Sequence, residues 1–352
     1  FLTKPLQRLD KHWSHPLVEL AKVVSRVSEG QPKAIVISLT SLVGMPEDEP
    51  GISELAQAMR KAGNVVIPAC LVPAGQAIRS RQSTGFECGR GDLLVPAALR
   101  NGQIALPPLE LFNAAAGVGT TNLYPDIDGV VRTFPLMVSA GGQLMPSLPL
   151  EAIRVAEGEP VGSARLEGGL LRVGRFAIPV VPDSAEMYLC VGPPADEKFK
   201  RTFSQILDCS AEELRSMVEG KIVVIGWEIA GNTSVFAVRG GPPTTGPHIV
   251  AAAIATILAK SWIRVPPVYM NWLLALAIAL IAGLIAQRLT PTTGLVSNLA
   301  LLVTILAVVV LMAARGLQLP VLTLSLTIIF GTVCNVAAVA VAAERDRIAA
   351  MA

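Results

Sequence analysis

Charge is scarce in this sequence. Only 16% of its 352 residues are Asp, Glu, Lys or Arg, against about a quarter in an ordinary soluble domain, and the deficit is local. Between Val265 and Ala343 the only charged side chains are Arg288 and Arg315. The chain therefore has a water-facing part and a lipid-facing part. A clustered basic face is missing too. Net charge is +2, with nothing longer than the scattered residues around Lys198–Arg201, and a nucleic-acid partner is excluded on that ground.

Catalytic signatures are also lacking. There is no Walker A loop, no GxSxG elbow, no HExxH helix and no kinase lysine or HRD loop. The reading is of a non-enzymatic segment that needs no cofactor. The five cysteines (Cys70, Cys88, Cys190, Cys209 and Cys334) form no CxxC and share no zinc spacing with a histidine. Cys334 falls in an apolar helix as a packing residue. The other four could be bridged in an oxidising compartment, and the sequence does not pair them. His12 and His15 are three residues apart beside Pro16, with no carboxylate arranged near them, so no metal is expected.

What is present is a row of three apolar runs. Val268–Gln287, Leu295–Ala314 and Val321–Ala343 are separated by short turns at Arg288–Gly294 and Arg315–Pro320. Twenty residues at 1.5 Å per residue span about 30 Å, the thickness of a bilayer core. Tyr269 and Trp272 at the first entry suit the headgroup zone. Three spans put the two ends on opposite sides. Lys260, Arg264 and Arg315 then face Arg288, Arg345 and Arg347, and the positive-inside rule decides nothing. The tail Glu344–Ala352 keeps a helical composition, as a connector into a further domain would. The chain opens on Phe1 rather than Met, and a processed or longer parent is expected.

Residues 1–262 read as a single α/β domain with a mixed sheet. Leu17, Leu20, Val23, Val24 and Val27 recur at helical spacing, Ala34–Leu39 is a buried strand, Ile52–Ala62 a helix and Asn64–Pro68 a second strand. That order fits a parallel crossover. A short helix is expected at Pro96–Arg100. Strands at Gly129–Val138, Leu170–Ile178 and Met187–Val191 suggest an antiparallel middle, with a helix at Leu148–Ala156 capped by Ser147. A helix at Ala211–Val218, a strand at Lys221–Gly226 and a helix from Gly246 to Lys260 complete the domain. Gly117–Asn122 has two glycines of a dinucleotide fingerprint but not the third, and reads as a loop.

Asp126 and Asp128 flank a turn before Arg132. They admit a cation or ligand site with Arg132 as an anion partner, but read first as an Asx-type turn in which Gly129 takes a positive φ. A calcium loop needs more oxygen ligands than these. His248, a lone imidazole at a helix start, is a further weak ligand candidate and reads first as structural.

Asp126–Arg132 (DIDGVVR), Gly220–Gly226 (GKIVVIG) and the glycine-led helix at Gly246–Leu258, followed by three apolar spans, together resemble the CHASE type 2 family. This is the extracellular sensory domain of bacterial cyclases, histidine kinases and Ser/Thr kinases. The resemblance covers residue 17 to about 343. It departs at Asn232–Phe236, where the family tends to carry Asp and Pro, and at Gly246–Ala251, where the His is displaced. It implies an extracytoplasmic domain at 1–262, three transmembrane helices at 268–287, 295–314 and 321–343, and a cytoplasmic connector at 344–352. It also implies a multi-pass inner-membrane receptor, self-paired as a homodimer. Such a receptor would respond to a small-molecule or envelope cue and drive a cyclase or kinase effector beyond Ala352 in the same chain. The competing readings are a membrane-anchored envelope enzyme and a transport or assembly subunit of a membrane complex.

Overall fold

The computed structural model describes residues 15–73, 102–140, 143–181, 184–190, 200–227, 235–238, 241–266, 268–288, 291–317 and 319–351. The segment Pro96–Arg100, together with His12, Cys88 and Asn232–Ser234, lies outside them. The chain divides into two compact units, residues 1–262 and 263–352.

The first unit is built on parallel strands. β1 (Ala34–Ile37) lies between β13 (Ile222–Ile225) and β2 (Val65–Val72), and β2 also pairs in parallel with β4 (Gly117–Thr120). β3 (Gln103–Ala105) runs antiparallel along the far end of β2. All four residues of β1 are buried, so it is covered on both faces, as parallel strands are. The period of two sorts its neighbours. Ile35, Ile37, Val65, Ile67, Val223 and Ile225 pack in one core with α1 (Pro16–Glu29) and α2 (Ile52–Ala62), while Val36, Val66 and Val224 pack in a second with α4 (Leu148–Ala156) and α7 (Gly246–Leu258). Helices therefore flank the sheet on both sides. On α1, Leu17, Leu20, Val23, Val24 and Val27 are all buried, as their spacing predicts. α3 (Leu109–Ala114), α5 (Phe203–Asp208) and α6 (Ala211–Val218) are shorter.

β4 corrects the sequence reading of a loop at Gly117–Asn122. Its two glycines disguise it because the strand lies against the start of α4. A Cβ at Gly119 would stand 2.5 Å from the Leu148 amide nitrogen, and one at Gly117 would stand 2.6 Å from the Glu151 carboxylate. Only glycine permits that approach.

The middle of the unit is antiparallel in short pieces, and two expected strands are divided. Gly129–Val138 becomes β5 (Val130–Val131), β6 (Thr133–Pro135) and β7 (Met137–Ala140), which pair with β14 (Val235–Val238), β12 (Glu186–Tyr188) and β8 (Gln143–Pro146). The β5–β14 pair is parallel, and β15 (Thr244–Thr245) completes that sheet. Leu170–Ile178 folds back at Gly174, φ +48°, into β10 (Leu170–Val173) and β11 (Phe176–Pro179), with β9 (Arg165–Glu167) beside β10. The mixed sheet expected of this α/β domain is, among the described residues, one five-stranded sheet accompanied by four small ones.

Among the described residues the second unit is three helices, α8 (Val268–Arg288), α9 (Pro291–Ala314) and α10 (Val321–Met351). Ala275, Ile278, Val309, Leu324 and Ile328 form its small core. Its outer surface is apolar, with Trp272, Leu276, Val296, Val303, Val310, Leu322 and Phe330 all exposed. Among the described residues one helical stretch, Val296–Ala314, is long and apolar enough to cross a membrane, and the apolar stretches Tyr269–Ile285 and Val321–Val333 are shorter.

Candidate functional site

Strand carboxyl ends are where open α/β sheets leave room for a ligand, because the chain departs there in diverging directions. A cavity of about 560 Å³ opens at that position in the first unit, within the range of small-molecule sites. Ser38, Leu39, Thr40 and Ser41 line it from the end of β1, Thr121 and Leu123 from the end of β4, and Trp227 from the end of β13. Gly246, Pro247 and Val250 line it from the first turn of α7, and Pro16 and Leu17 from that of α1.

Each wall has a local cause. Gly226 lets α7 close on the sheet, since a Cβ there would stand 2.5 Å from the Pro247 ring. Trp227 is backed by Phe203 of α5, with ring centroids 6.3 Å apart. Asn122 holds the segment after β4 in place by doubling as a strand partner. Its Oδ1 accepts from the Leu71 amide at 2.7 Å, and its Nδ2 donates to the Leu71 carbonyl at 2.8 Å. Thr121 Oγ1 lies 3.5 Å from Cys70 Sγ, whose thiol pKa burial raises.

Two hydroxyls are close to this space, that of the lining residue Ser38 and that of Thr245, which precedes the lining Gly246. Ser38 is 8% exposed; its amide donates to the Ile225 carbonyl, and its hydroxyl makes no hydrogen bond among the described residues. At α7, the N-cap Thr245 makes no capping bond; its Oγ1 lies 2.8 Å from His248 Nδ1 instead. Helices α4, α5 and α6 are capped by Ser147, Thr202 and Ser210. Among the described lining residues the one charged side chain is Glu49.

The residues singled out in the sequence fall in two places. Asp126, Asp128 and Arg132 come together on a surface turn. Arg132 Nη1 donates to Asp126 Oδ2 at 2.6 Å and Asp128 Oδ1 at 2.8 Å, and Nη2 to Asp128 Oδ2 at 2.6 Å. Asp128 Oδ1 also accepts from the Val130 amide at 3.1 Å, and Gly129 takes φ +78°. The bidentate guanidinium holds the Asp128 carboxyl down to about 2, and the carboxylates in turn raise Arg132. The three charges are engaged with one another, in an Asx-type turn. His248 is on another element, beside the cavity-lining Gly246 and Pro247. Sequence reasoning missed Ser38, Trp227 and the cavity itself. The available signal was positional: Ser38 and Trp227 stand one and two residues past the ends of the buried parallel strands β1 and β13.

Near the turn is a second acidic group. Glu186 accepts from Thr133 Oγ1 at 2.9 Å, and its pKa is raised mainly by burial and further by Asp126. The Tyr124 phenol is pushed up to about 12 by burial and by the nearby Glu186. Among the described residues no group of three His, Cys, Asp or Glu side chains is placed to hold a metal ion. Cys70, Cys190 and Cys209 are free thiols.

The family model of the CHASE2 domain matches residues 3–285. The chain belongs to the CHASE2 domain family. No curated protein and no solved structure is significantly similar to it. CHASE2 is an extracellular sensory domain of membrane signalling receptors and is not a catalytic one. In this CHASE2 chain the DIDGVVR stretch makes the surface turn, GKIVVIG makes β13 with the glycine beneath α7, and the glycine-led helix is α7.

Proposed function

We propose that the chain is the sensory and signal-transducing part of a bacterial transmembrane receptor, and that the cavity at the strand ends is where the cue binds. The cavity carries this reading: it opens at the carboxyl ends of the parallel strands, with a broad apolar wall and several hydroxyls, and it is lined by the first turn of α7. That helix ends at Leu258, and α8 follows at Val268. A cue that binds one arrangement of α7 more tightly than another shifts the balance between them, and the covalent link carries the shift toward the helical unit.

In this reading α8, α9 and α10 all cross the membrane. Their apolar outer surfaces support it, since such a large exposed patch is unfavourable in water and at home in lipid. The sensory unit lies outside the cytoplasm. The chain end lies inside it, where a cyclase or kinase effector beyond Ala352 receives the signal, with two copies acting as a dimer.

The test uses the full-length receptor in membranes. Gly246 lines the cavity and a Cβ there would meet nothing within 4 Å, so Gly246→Leu adds bulk to the lining without a clash at its Cβ. This variant should leave membrane levels unchanged and make effector output insensitive to envelope extract. Output that still follows the extract would remove the cavity from the sensing role. Reporter tags before Phe1 and after Ala352 should mark opposite compartments, and a shared compartment would overturn the orientation.

A further inference from the structure

The lining of the cavity narrows the class of cue, on the premise that the cavity is the sensory site. Its apolar wall is broad, from Leu39, Met45, Leu123, Trp227, Phe236 and Val250. One stretch of chain after β1, residues 38–49, supplies most of the polar lining. Ser38, Thr40, Ser41 and Glu49 all line the cavity, and among the described residues their side chains make no hydrogen bond and no ion pair. Other groups hold this stretch in place. The Gly44 amide donates to the Leu106 carbonyl at 3.2 Å, and Glu47 Oε2 accepts from the Leu109 amide at 2.9 Å. A Cβ at Gly51 would stand 2.9 Å from Leu17 Cβ, so the chain just past Glu49 packs on α1. Glu47 is thus engaged with the fold, and Glu49 is not. No Lys, Arg or His lines the cavity among the described residues, so the Glu49 carboxylate has no counter-charge on that wall.

We infer that the cavity takes a small primary ammonium ion with an apolar body. The ammonium donates to the Glu49 carboxylate and to hydroxyls of the Ser38–Ser41 segment, all of which accept hydrogen bonds. The body packs against Trp227 and Phe236, whose ring faces attract a cation as well as carbon. An anion is repelled by Glu49 and meets no cation on the described lining, and an uncharged ligand leaves the carboxylate without a counter-charge. The tethers at Gly44 and Glu47 fix the segment that carries these groups, and a segment fixed beforehand loses less entropy on binding.

The experiment is isothermal titration of the detergent-solubilised full chain with isoamylamine, phenethylamine and tryptamine. Each is compared with the matching alcohol (3-methyl-1-butanol, 2-phenylethanol, tryptophol) and the matching acid (4-methylpentanoate, 3-phenylpropanoate, indole-3-propionate). At least one amine should bind, with its alcohol weaker by about tenfold, the worth of one charge-assisted hydrogen bond, and its acid weaker still. Glu49→Gln should weaken the amine severalfold, through a partly screened charge, and leave the alcohol unchanged. Asp48 is not among the lining residues, so Asp48→Asn removes the same charge from the same loop without touching the contact. It should leave the amine within about twofold, as a screened neighbour does. The trimethylated form of the amine keeps the charge but cannot donate, and it should bind more weakly; tighter binding would overturn the primary-ammonium assignment. An alcohol or acid that binds as well as the amine, or equal losses from Asp48→Asn and Glu49→Gln, would also overturn it, while leaving the cavity as a ligand site. Should none of these ligands bind, the ammonium assignment falls, and the response of Gly246→Leu to envelope extract then decides whether the cavity reading falls with it.

Discussion

Glu151 and Arg154, one turn apart on α4, form an ion pair at 2.7 Å with side chains only 2% and 5% exposed. Arg154 also donates to the carbonyls of Ala116 at 2.6 Å and Glu159 at 2.8 Å. One guanidinium thereby ties the helix to the residue that leads into β4. Burial pushes the Glu151 carboxyl up, against the smaller downward pull of Arg154.

Removing one partner strands the other in a dry site. Glu151→Ala or Arg154→Ala should each cost about 3–5 kcal/mol, read from chemical denaturation of the solubilised chain. The double replacement Glu151→Leu/Arg154→Met should recover most of that loss. Recovery of less than a third would mean that the carbonyl contacts of Arg154, not the pairing of charge, hold α4 to the sheet.

Gly119 and Gly129 should respond differently to alanine. A Cβ at Gly119 meets the backbone of Ser147 and Leu148 at 2.5 Å, and the start of α4 must move away. The expected cost is about 2–3 kcal/mol. At Gly129 a Cβ meets nothing within 4 Å, and only its positive φ is penalised, by about 1–2 kcal/mol. Equal costs would show that the approach of β4 to α4 is looser than the structure has it.

Glu186 gives a dependence on pH. Its folded pKa is raised, so its ionisation disfavours the fold. The stability it leaves in place below the ordinary Glu value, near 4.3, declines as pH rises from there through the raised value. Glu186→Gln keeps an acceptor for Thr133 and should raise the melting temperature at pH 7.5, by roughly a degree or two after allowing for solvent screening. The gain should vanish near pH 4. An equal gain at both values would point to packing rather than charge.

The Asp128–Arg132 contact runs the other way. Asp128 is held down to about 2, so its contribution is complete above the ordinary Asp value, near 3.9, and is lost as pH falls toward 2. Arg132→Ala should return the carboxyl to near its ordinary value, measured by carboxyl-carbon NMR titration. A titration that stays low would assign the shift to the Val130 amide alone.

These contrasts show what the amino-acid order reveals and what it hides. Ile52–Ala62, Leu148–Ala156 with its Ser147 cap, and Ala211–Val218 are legible because amphipathic spacing and capping act within a few residues. β4 is hidden because its strand character depends on α4, which lies elsewhere in the chain, and close approach demands the glycines that otherwise signal a loop. The division of Gly129–Val138 is hidden for a related reason: its three pieces answer to three different partner strands. The turn at Asp126–Arg132 is local and could be read. The cavity belongs to the ends of β1, β4 and β13 and the starts of α1 and α7, so no single stretch announces it.

Helix α10 runs from Val321 to Met351 without a break, 31 residues in all. At 1.5 Å per residue that is about 46 Å, longer than the bilayer core is thick. Proline is absent from it, and its one glycine, Gly331, sits in its first half. A rod of this kind conserves azimuth: a rotation applied at Val321 re-emerges at Met351 rather than dissipating at a joint. Splicing one extra residue after Ala343 would turn everything downstream by about 100°, and splicing seven would restore nearly the original heading.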